Sequence, residues 1–389
     1  MRILGIVAEY DPFHNGHADH LRRAREAVKP DAAYITLSPC FRQRGELALL
    51  SPSDRAACAL DAGADAVFAL PVLWALRDAE HYALGAVSML AGLGATHLAF
   101  GAEDADLMSL QQIAELLEEP PLAFQATLRE GLDSGTGYPA ALAEAAQRTL
   151  PGAAALLRKP NNTLAICYLR AIRRLNLRLE PVAIPRTGDD HADRIDPASP
   201  SASALREALR RGDWGDALPA LPAFCERRVR ARFLEGRVPS TAIADALLLD
   251  RLRSLTPGEW RRLPDLSEGL EDRLKKAACQ ARTSQELLQM AATRRYPTAR
   301  LRRICALALL GVTRDRLDAL PLPDTTLLLA LRKGLPSTAG WQGMPVRVYP
   351  SPGPWQSAAD PEDLAAWRLW AQCCSLPPTL PFTERLYTL

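Results

Sequence analysis

The first hundred residues alternate between short continuous apolar segments and segments with helical periodicity, and this alternation constrains the fold most. The apolar segments are Ile3–Ala8, Ala32–Leu37, Ala66–Leu70 and His97–Gly101. Strands that are buried on both faces read as uninterrupted apolar runs, and helices between them allow the strands to be parallel. The pattern therefore predicts a Rossmann-like α/β domain with a parallel sheet covered on both faces.

Farther along the chain the pattern becomes mainly helical. Pro181–Ile184 is predicted as a fifth strand, and Ser201 or Ser203 as the cap of a helix that ends at Arg211. After about residue 215 the strand signals nearly vanish, apart from Pro345–Tyr349. We therefore expect an α/β catalytic domain over residues 1–215 and a mostly α-helical C-terminal domain over residues 216–389.

Composition and charge exclude several classes of protein. The 389 residues are 48% hydrophobic, which is too apolar for extended disorder. The longest apolar runs, such as Cys305–Gly311, are too short to span a membrane, and the N-terminus has no signal-peptide pattern, so we expect a cytoplasmic protein. The eight cysteines form no C-x-x-C pair, which favours reduced thiols over zinc or disulfides. A net charge of +2 does not by itself indicate nucleic acid.

The strongest local motif is His14-Asn15-Gly16-His17, which follows the first predicted strand and opens the first predicted helix. Parallel α/β sheets bind ligands at the carboxyl ends of their strands, where helix N-termini present free N–H groups. Two imidazoles three residues apart share one face of the first helical turn and can donate hydrogen bonds to phosphate. Gly16 allows the backbone to come close to such a ligand.

Two other interpretations of this motif stay open. The histidines can be ordinary surface residues at a helix start, or they can form a zinc pair completed by His20, Asp11 or Asp19. A phosphate site is the better interpretation, because two of only six histidines bracket a glycine at the end of a predicted strand.

An H-x-G-H motif after a first strand resembles the nucleotidyltransferase superfamily, which includes the class I aminoacyl-tRNA synthetases. That superfamily carries a second phosphate-binding element, typically a Ser/Thr-rich turn that leads into a helix with a basic residue. Ser199–Arg206 is similar to that element, with hydroxyls at a helix start and an arginine one turn later. An ordinary capped surface helix is the alternative.

Longer motifs narrow the resemblance to the bacterial tRNA(Met) cytidine acetate ligase family. The similar segments are Ala8–His17, Phe41–Glu46, Gly63–Pro71, Phe100–Glu103, Lys159–Ala165, Pro185–Gly188, Ser267–Glu271 and Arg294–Arg303. They cover roughly residues 1–312, and the resemblance fades in the tail.

This resemblance implies an enzyme that binds ATP, converts acetate to acetyl-adenylate with release of pyrophosphate, and acetylates N4 of the wobble cytidine of elongator tRNA(Met), releasing AMP. It implies catalytic roles for His14 and His17, and the place of Arg44 after the second predicted strand makes it a third catalytic candidate. The nucleotide-binding residues that it implies are Val7, Ala8, Glu9, Tyr10, Phe13, His14, Gly16, His17, His20, Gly101, Asn161, Asn162, Arg186, Ser201, Ser203 and Arg206. Mg²⁺ is expected to bind through the ATP phosphates, because the sequence shows no dedicated carboxylate cage.

Two basic features extend the prediction. Arg44 follows the second predicted strand at the edge that carries H-x-G-H, where it can hold a phosphate or the acetate carboxylate, or form a loop salt bridge with Glu46. The second feature is an arginine cluster whose predicted RNA-binding residues are Arg294, Arg295, Tyr296, Arg300, Arg302 and Arg303. The arginines suit an RNA backbone and Tyr296 can stack on a base, whereas a solvated helix face is the alternative.

Three functions fit these motifs to different extents. The acetate ligase explains most of them. An adenylyltransferase that acts on a small phosphorylated metabolite explains H-x-G-H and Ser201–Arg206 equally well, but it leaves the helical domain without a role. A non-catalytic RNA-binding relative would not need both His14 and His17 intact.

Overall fold

The computed structural model describes residues 1–186, 195–267, 269–335, 341–379 and 386–389. Within these ranges the strands are β1 (Ile3–Ala8), β2 (Ala32–Leu37), β3 (Ala66–Ala69), β4 (His97–Ala102), β5 (Glu180–Pro185), β6 (Thr325–Leu331), β7 (Arg347–Tyr349) and β8 (Tyr387–Thr388). The helices are α1 (Asn15–Val28), α2 (Pro52–Asp61), α3 (Val72–Ala75), α4 (Ala79–Gly92), α5 (Leu107–Glu118), α6 (Leu122–Asp133), α7 (Tyr138–Thr149), α8 (Ala153–Leu157), α9 (Pro160–Arg174), α10 (Ala202–Arg211), α11 (Trp214–Ala217), α12 (Ala223–Leu234), α13 (Thr241–Ser254), α14 (Pro257–Arg262), α15 (Leu270–Gln280), α16 (Ser284–Ala291), α17 (Thr298–Leu309), α18 (Arg314–Asp318), α19 (Pro352–Gln356) and α20 (Pro361–Cys373). None of the helices in these ranges is long and apolar enough to cross a membrane.

β1 lies inside a sheet whose strand order is β5-β4-β1-β2-β3-β6-β7, with β8 also paired to β6. The first five strands run parallel, so the carboxyl ends of β1, β2, β4 and β5 lie on one edge. The chain order reverses beside β1, and such a reversal is where α/β sheets bind ligands. The predicted Rossmann-like fold is confirmed.

Local sequence signals set the bounds of the first two helices. α1 ends at Val28, and Lys29 then adopts a left-handed conformation with φ of 48° before Pro30. α2 starts at Pro52, and its cap is Ser51, whose hydroxyl accepts the backbone N–H of Asp54. Ser53 follows that proline and is inside the helix, because proline favours the first helical position and therefore places the cap at Ser51.

Buried side chains pack on both faces of the sheet. One apolar cluster contains Leu4 and Ile6 of β1 together with Leu60 and Trp367, while a second contains Ile3. Successive residues of a strand point to opposite faces, so the two clusters are the two covered faces of the sheet. A third cluster lies within α13–α17. The helical segment therefore has its own core.

The chain returns to the sheet near its C-terminal end, which the sequence patterns did not predict. β6 (Thr325–Leu331) pairs antiparallel with β3, and the Trp370 indole of α20 donates to the carbonyl of Ala48 at 2.8 Å. The expectation that strand signals nearly vanish after residue 215 therefore misses β6. A short apolar run that is buried on both faces cannot be told from a buried helix by periodicity. The domain boundary at residue 215 stays a prediction.

Candidate active site

The H-x-G-H turn joins the end of β1 to the start of α1 and fixes two imidazoles side by side. Nδ1 of His14 accepts the backbone N–H of His17 at 3.3 Å, and Nδ1 of His17 accepts the backbone N–H of His14 at 3.3 Å. This exchange is a capping box built from two histidines. The rings stack with their centroids 3.5 Å apart. Both Nδ1 atoms are thus engaged by the backbone.

Gly16 is required by the close approach of the His14 ring. A Cβ on Gly16 would lie 3.2 Å from both Cε1 and Nδ1 of His14, and 3.8 Å from Cδ of Pro200. A Cβ at this position would press on the imidazole and make ordinary contact with Pro200. Gly16, which we expect to let a ligand approach the backbone, therefore also leaves room for the ring of His14.

Burial and positive neighbours keep the histidines of α1 neutral. The pKa of His14 falls to about 3 through burial and the charges of Arg186 and Arg206. Burial also lowers the pKa of His17 well below its usual value and that of His20 to about 4. Because Nδ1 of His14 and Nδ1 of His17 both accept backbone N–H groups, the proton of each neutral ring is on Nε2. The site thus presents two uncharged N–H donors.

The second predicted phosphate-binding element lies beside this turn. Ser201 occupies the N-cap position of α10 without a side-chain capping bond, so the first-turn N–H groups are open to an anion. Arg206 is buried and donates from Nη1 to the carbonyl of Asp11 at 2.6 Å and from Nη2 to Oγ of Ser203 at 2.9 Å. Ser201 is thus at one of the two predicted cap positions but makes no side-chain capping bond, while the hydroxyl of Ser203 accepts from Arg206. The combination suits phosphate oxygens.

The loops after β4 and β5 bring the next predicted residues together. A Cβ on Gly101 would lie 2.9 Å from Cγ of Arg186, so glycine lets Arg186 lie across the end of β4. Nη1 of Arg186 donates to Oδ1 of Asn161 at 3.0 Å. Asn162 is fully buried, and its Nδ2 donates to Asp104 at 2.8 Å. Asn162 therefore holds the loop in place, while Arg186 and Asn161 lie nearer the surface. Thr187 and Gly188 of the same motif lie outside the described residues.

The remaining predicted nucleotide-binding residues divide into ligand-facing and supporting positions. Val7 and Glu9 are partly exposed at the end of β1, and Ala8 is buried between them. The buried ring of Tyr10 lies 4.9 Å from that of His17, and fully buried Phe13 packs 4.7 Å from Tyr10. Nε2 of His20 is buried without a hydrogen-bond partner among the described residues. Through its packing against Tyr10, Phe13 stabilises the turn from the buried side.

Arg44 is exposed on a tight loop after β2 that packs against α17. Gly45 has φ of +85°, and a Cβ there would lie 2.6 Å from the carbonyl carbon of Arg302. Glu46 pairs with Arg42 and with Nη1 of Arg302, the latter at 3.0 Å. Within the described residues Arg44 has no salt bridge with Glu46, so that alternative is wrong. The contact brings the predicted RNA-binding helix next to the edge that carries H-x-G-H.

The predicted RNA-binding residues do not all face solvent. Arg294 and Arg295 are exposed, and Arg300, Arg302 and Arg303 are partly exposed. Tyr296 is only 9% exposed and belongs to the core of α13–α17. The guanidinium groups of Arg295 and Arg300 lie 5.7 and 5.8 Å from its ring centroid. The predicted stacking of Tyr296 on a base is therefore wrong, because its ring is already enclosed.

Two residues that sequence patterns missed hold the site together. Arg55 of α2 is fully buried and donates from Nη1 to the carbonyls of Glu9 at 2.6 Å and Ser38 at 2.9 Å. Glu103 caps α9, since its two carboxylate oxygens accept the backbone N–H groups of Asn161 and Asn162. Nothing in the helical pattern around Arg55 distinguishes it from a surface arginine. Glu103 falls in a segment similar to the family, which was its only signal.

Two neutral imidazoles lie side by side at the first strand–helix turn. A second helix N-terminus with a buried arginine lies beside them, and this arrangement defines a nucleotidyl transferase. Among the described residues no cluster of three or more His, Cys, Asp or Glu side chains could hold a metal, so the zinc interpretation gains no support. A family model described as HIGH Nucleotidyl Transferase matches residues 1–334.

Relatives identify the family more narrowly. A tRNA(Met) cytidine acetate ligase of Acetivibrio thermocellus is 35% identical over 333 residues, which cover 82% of this chain and 80% of the relative. The crystal structure of Thermotoga maritima TmcAL in its apo form superposes with a TM-score of 0.93 at 26% identity, with all of both chains covered. The same protein bound with alpha-thio ATP gives a TM-score of 0.88. The chain belongs to the tRNA(Met) cytidine acetate ligase family.

The neutrality of the paired histidines can be tested directly. We expect the imidazole signals of His14 and His17, assigned with His14→Asn and His17→Asn variants, not to titrate between pH 8 and 5 in NMR spectra. Their pKa values are lowered on folding, so the unfolded chain takes up protons that the folded one does not. The free energy of unfolding should therefore fall as the pH drops below about 6.5. A midpoint near 6.5 for either folded ring would contradict the geometry.

Proposed function

We propose that the chain is an ATP-dependent ligase that converts acetate to acetyl-adenylate and transfers the acetyl group to N4 of the wobble cytidine of elongator tRNA(Met). AMP and pyrophosphate are the other products. The observation that carries this proposal is the set of phosphate donors at one edge of the sheet in a member of this family. That set contains the Nε2–H groups of His14 and His17, Arg206, and the open N-terminus of α10.

Adenylation solves a chemical problem, because acetate itself is a poor acyl donor. An acetate oxygen attacks the α-phosphorus of ATP, and pyrophosphate leaves with the electron pair of the broken P–O bond. Negative charge develops on the phosphate oxygens, and donors that are fixed beforehand stabilise it. His14 and His17 would donate to these oxygens without bringing a net charge. Arg206 would hold the pyrophosphate end, and Mg²⁺ would bind through the phosphates.

Arg44 and the loop around it would serve the acetate or the departing phosphate. Its guanidinium is exposed. Burial is the main cause that lowers the pKa of Arg206 and of Arg302, and the charge of Arg44 lowers both further. A bound anion would relieve this mutual repulsion of like charges. This is the physical reason for keeping Arg44 among the proposed catalytic residues.

The helical segment would bind the tRNA. A cavity of about 320 Å³ lies between it and the sheet domain, lined by Arg77, Pro264, Asp265, Leu266, Arg300, Arg314, Leu317 and Asp318. Arg77, Arg300 and Arg314 each donate to one backbone carbonyl, at 3.1, 2.7 and 3.3 Å. Further N–H groups of these arginines suit a phosphate of the RNA backbone. A tRNA substrate also favours a cytoplasmic location.

Two other functions make different predictions. An adenylyltransferase acting on a small phosphorylated metabolite would use the same phosphate donors but would not respond to acetate. A non-catalytic RNA-binding relative would not turn over ATP. Membership of the ligase family favours the first proposal, and the contact between Gly45 and α17 supports it by joining the proposed RNA-binding helix to the proposed active edge.

Acetate-dependent exchange of pyrophosphate into ATP tests the first half-reaction. We expect exchange in the wild type, and a loss of about 100-fold in His17→Asn, because one fixed donor to a developing charge contributes about 10²–10³ in rate. His97→Asn is the matched control, since His97 lies at the amino end of β4 and faces Glu180 at 3.2 Å. Wild-type protein without acetate-dependent exchange, with or without tRNA, would overturn the ligase proposal.

Removing one arginine of the cavity tests the RNA contact. We expect Arg314→Gln to weaken tRNA binding several-fold and to lower the slope of log affinity against log salt by about 0.7–0.9, the value for one lost phosphate contact. Acetate-dependent exchange should not change. Arg282→Gln is the control, because the Arg282 side chain is 89% exposed at the start of α16. Equal tRNA affinity and salt slope in the two variants would remove the cavity from the RNA footprint.

A further inference from the structure

Glu9, expected above to line the nucleotide site, is an acidic side chain at the proposed active edge that has no chemical role in the adenylation step. It follows β1 directly and lies five residues before His14. Its Oε1 accepts the backbone N–H of Gln43 at 2.7 Å, and its carbonyl accepts from Arg55 at 2.6 Å. These two bonds fix the residue between the loops that follow β1 and β2. Its Oε2 accepts no hydrogen bond within the described part of the chain.

The other carboxylates near this edge are already engaged. Oδ1 of Asp11 accepts the backbone N–H groups of Leu49 and Leu50, and Asp11 is buried. Glu46 pairs with two arginines, as described above. The carboxylate oxygens of Glu103 cap α9, and Asp104 holds Lys159 at 2.7 Å. Oδ2 of Asp11 also accepts no hydrogen bond among the described residues, but it is buried with Nε of Arg42 3.5 Å away, whereas Glu9 is partly exposed.

His14 and His17 cannot supply a proton acceptor here. Nδ1 of His14 and Nδ1 of His17 each accept a backbone N–H, and the ring proton therefore occupies Nε2. An Nε2–H group donates and cannot accept. The second half-reaction, by contrast, needs an acceptor, because the exocyclic amine of cytidine must lose a proton as it becomes an amide.

We propose that Oε2 of Glu9 accepts a hydrogen bond from the attacking N4 amine of the acceptor cytidine and takes its proton. This inference rests on the proposed function. The amine nitrogen bonds to the acetyl carbon, the bond from that carbon to the phosphate oxygen breaks, and AMP leaves with the electron pair. The proton of the amine passes to the Glu9 carboxylate. A carboxylate also selects an amino group over the carbonyl that uridine carries at the same ring position.

The charges around Glu9 make a carboxylate compatible with an anionic substrate. Electrostatic interaction links Glu9 with the guanidinium groups of Arg42, Arg55 and Arg206. Electrostatic interaction also links Glu9 with the buried phenols of Tyr82 in α4 and Tyr168 in α9. The positive groups offset the repulsion between Glu9 and acetate.

Glu9→Gln separates the two half-reactions, because glutamine keeps an oxygen for the Gln43 N–H but removes the proton acceptor. We expect acetyl transfer to tRNA in a single turnover to fall at least 100-fold, in the range of general-base catalysis, while acetate-dependent exchange falls less than tenfold.

Glu9→Asp should recover part of the transfer rate, and its transfer should keep an acidic limb in the pH profile that Glu9→Gln lacks. Thermal melts with ATP establish that both variants fold. Glu180→Gln, whose side chain is 73% exposed at the opposite edge of the sheet, is the matched control.

The outcomes distinguish a failure of the Glu9 inference from a failure of the proposed ligase function on which it rests. Equal losses of exchange and transfer in Glu9→Gln would overturn the inference, because the residue would then serve adenylation. Unchanged transfer would overturn it as well. Failure of the proposed function shows in the wild type instead, as an absence of acetate-dependent exchange or of acetylated tRNA.

Discussion

The buried guanidinium of Arg55 is the interaction on which the proposed active edge depends. It donates to the carbonyls of Glu9 and Ser38 through Nη1, to Leu50 through Nε at 3.1 Å, and to Pro39 through Nη2. These carbonyls belong to the loops that follow β1 and β2 and to the start of α2. Backbone acceptors buried without a partner are costly, and a planar group with five donors satisfies several of them at once. One side chain thereby fixes the loops that carry H-x-G-H and Arg44.

Asp11 extends this arrangement toward the proposed phosphate site. Its carboxylate ties down the backbone of Leu49 and Leu50, and its carbonyl accepts from Arg206 at 2.6 Å. Arg206 is thus held on the same scaffold as the histidines. Burial lowers the pKa of this guanidinium, while the charges of Asp11 and Glu9 raise it. The cationic and the neutral donors are therefore positioned together before any ligand binds, as electrostatic stabilisation of a transition state requires.

The sequence predicted the parts of this structure that depend on local signals. Continuous apolar runs identified β1 and β2, and H-x-G-H marked the strand–helix turn because histidines are few and the glycine position is informative. The long-range pairing of β6 with β3 was missed, since its seven residues carry no periodicity that separates a strand from a helix. Tyr296 looked like a stacking residue because its burial depends on helices distant in sequence. Arg55 was missed for the same reason: only the folded loops show which carbonyls it reaches.

Hydrogen exchange on the Arg55→Lys variant tests most directly whether one guanidinium positions the site. A lysine ammonium is a single point with three donors and cannot reach all four carbonyls. The account predicts that the segments 9–17 and 38–51 lose protection while α13–α17 keep theirs, and that the Kd for ATP rises at least tenfold. Unchanged protection in both segments together with wild-type ATP affinity would contradict it.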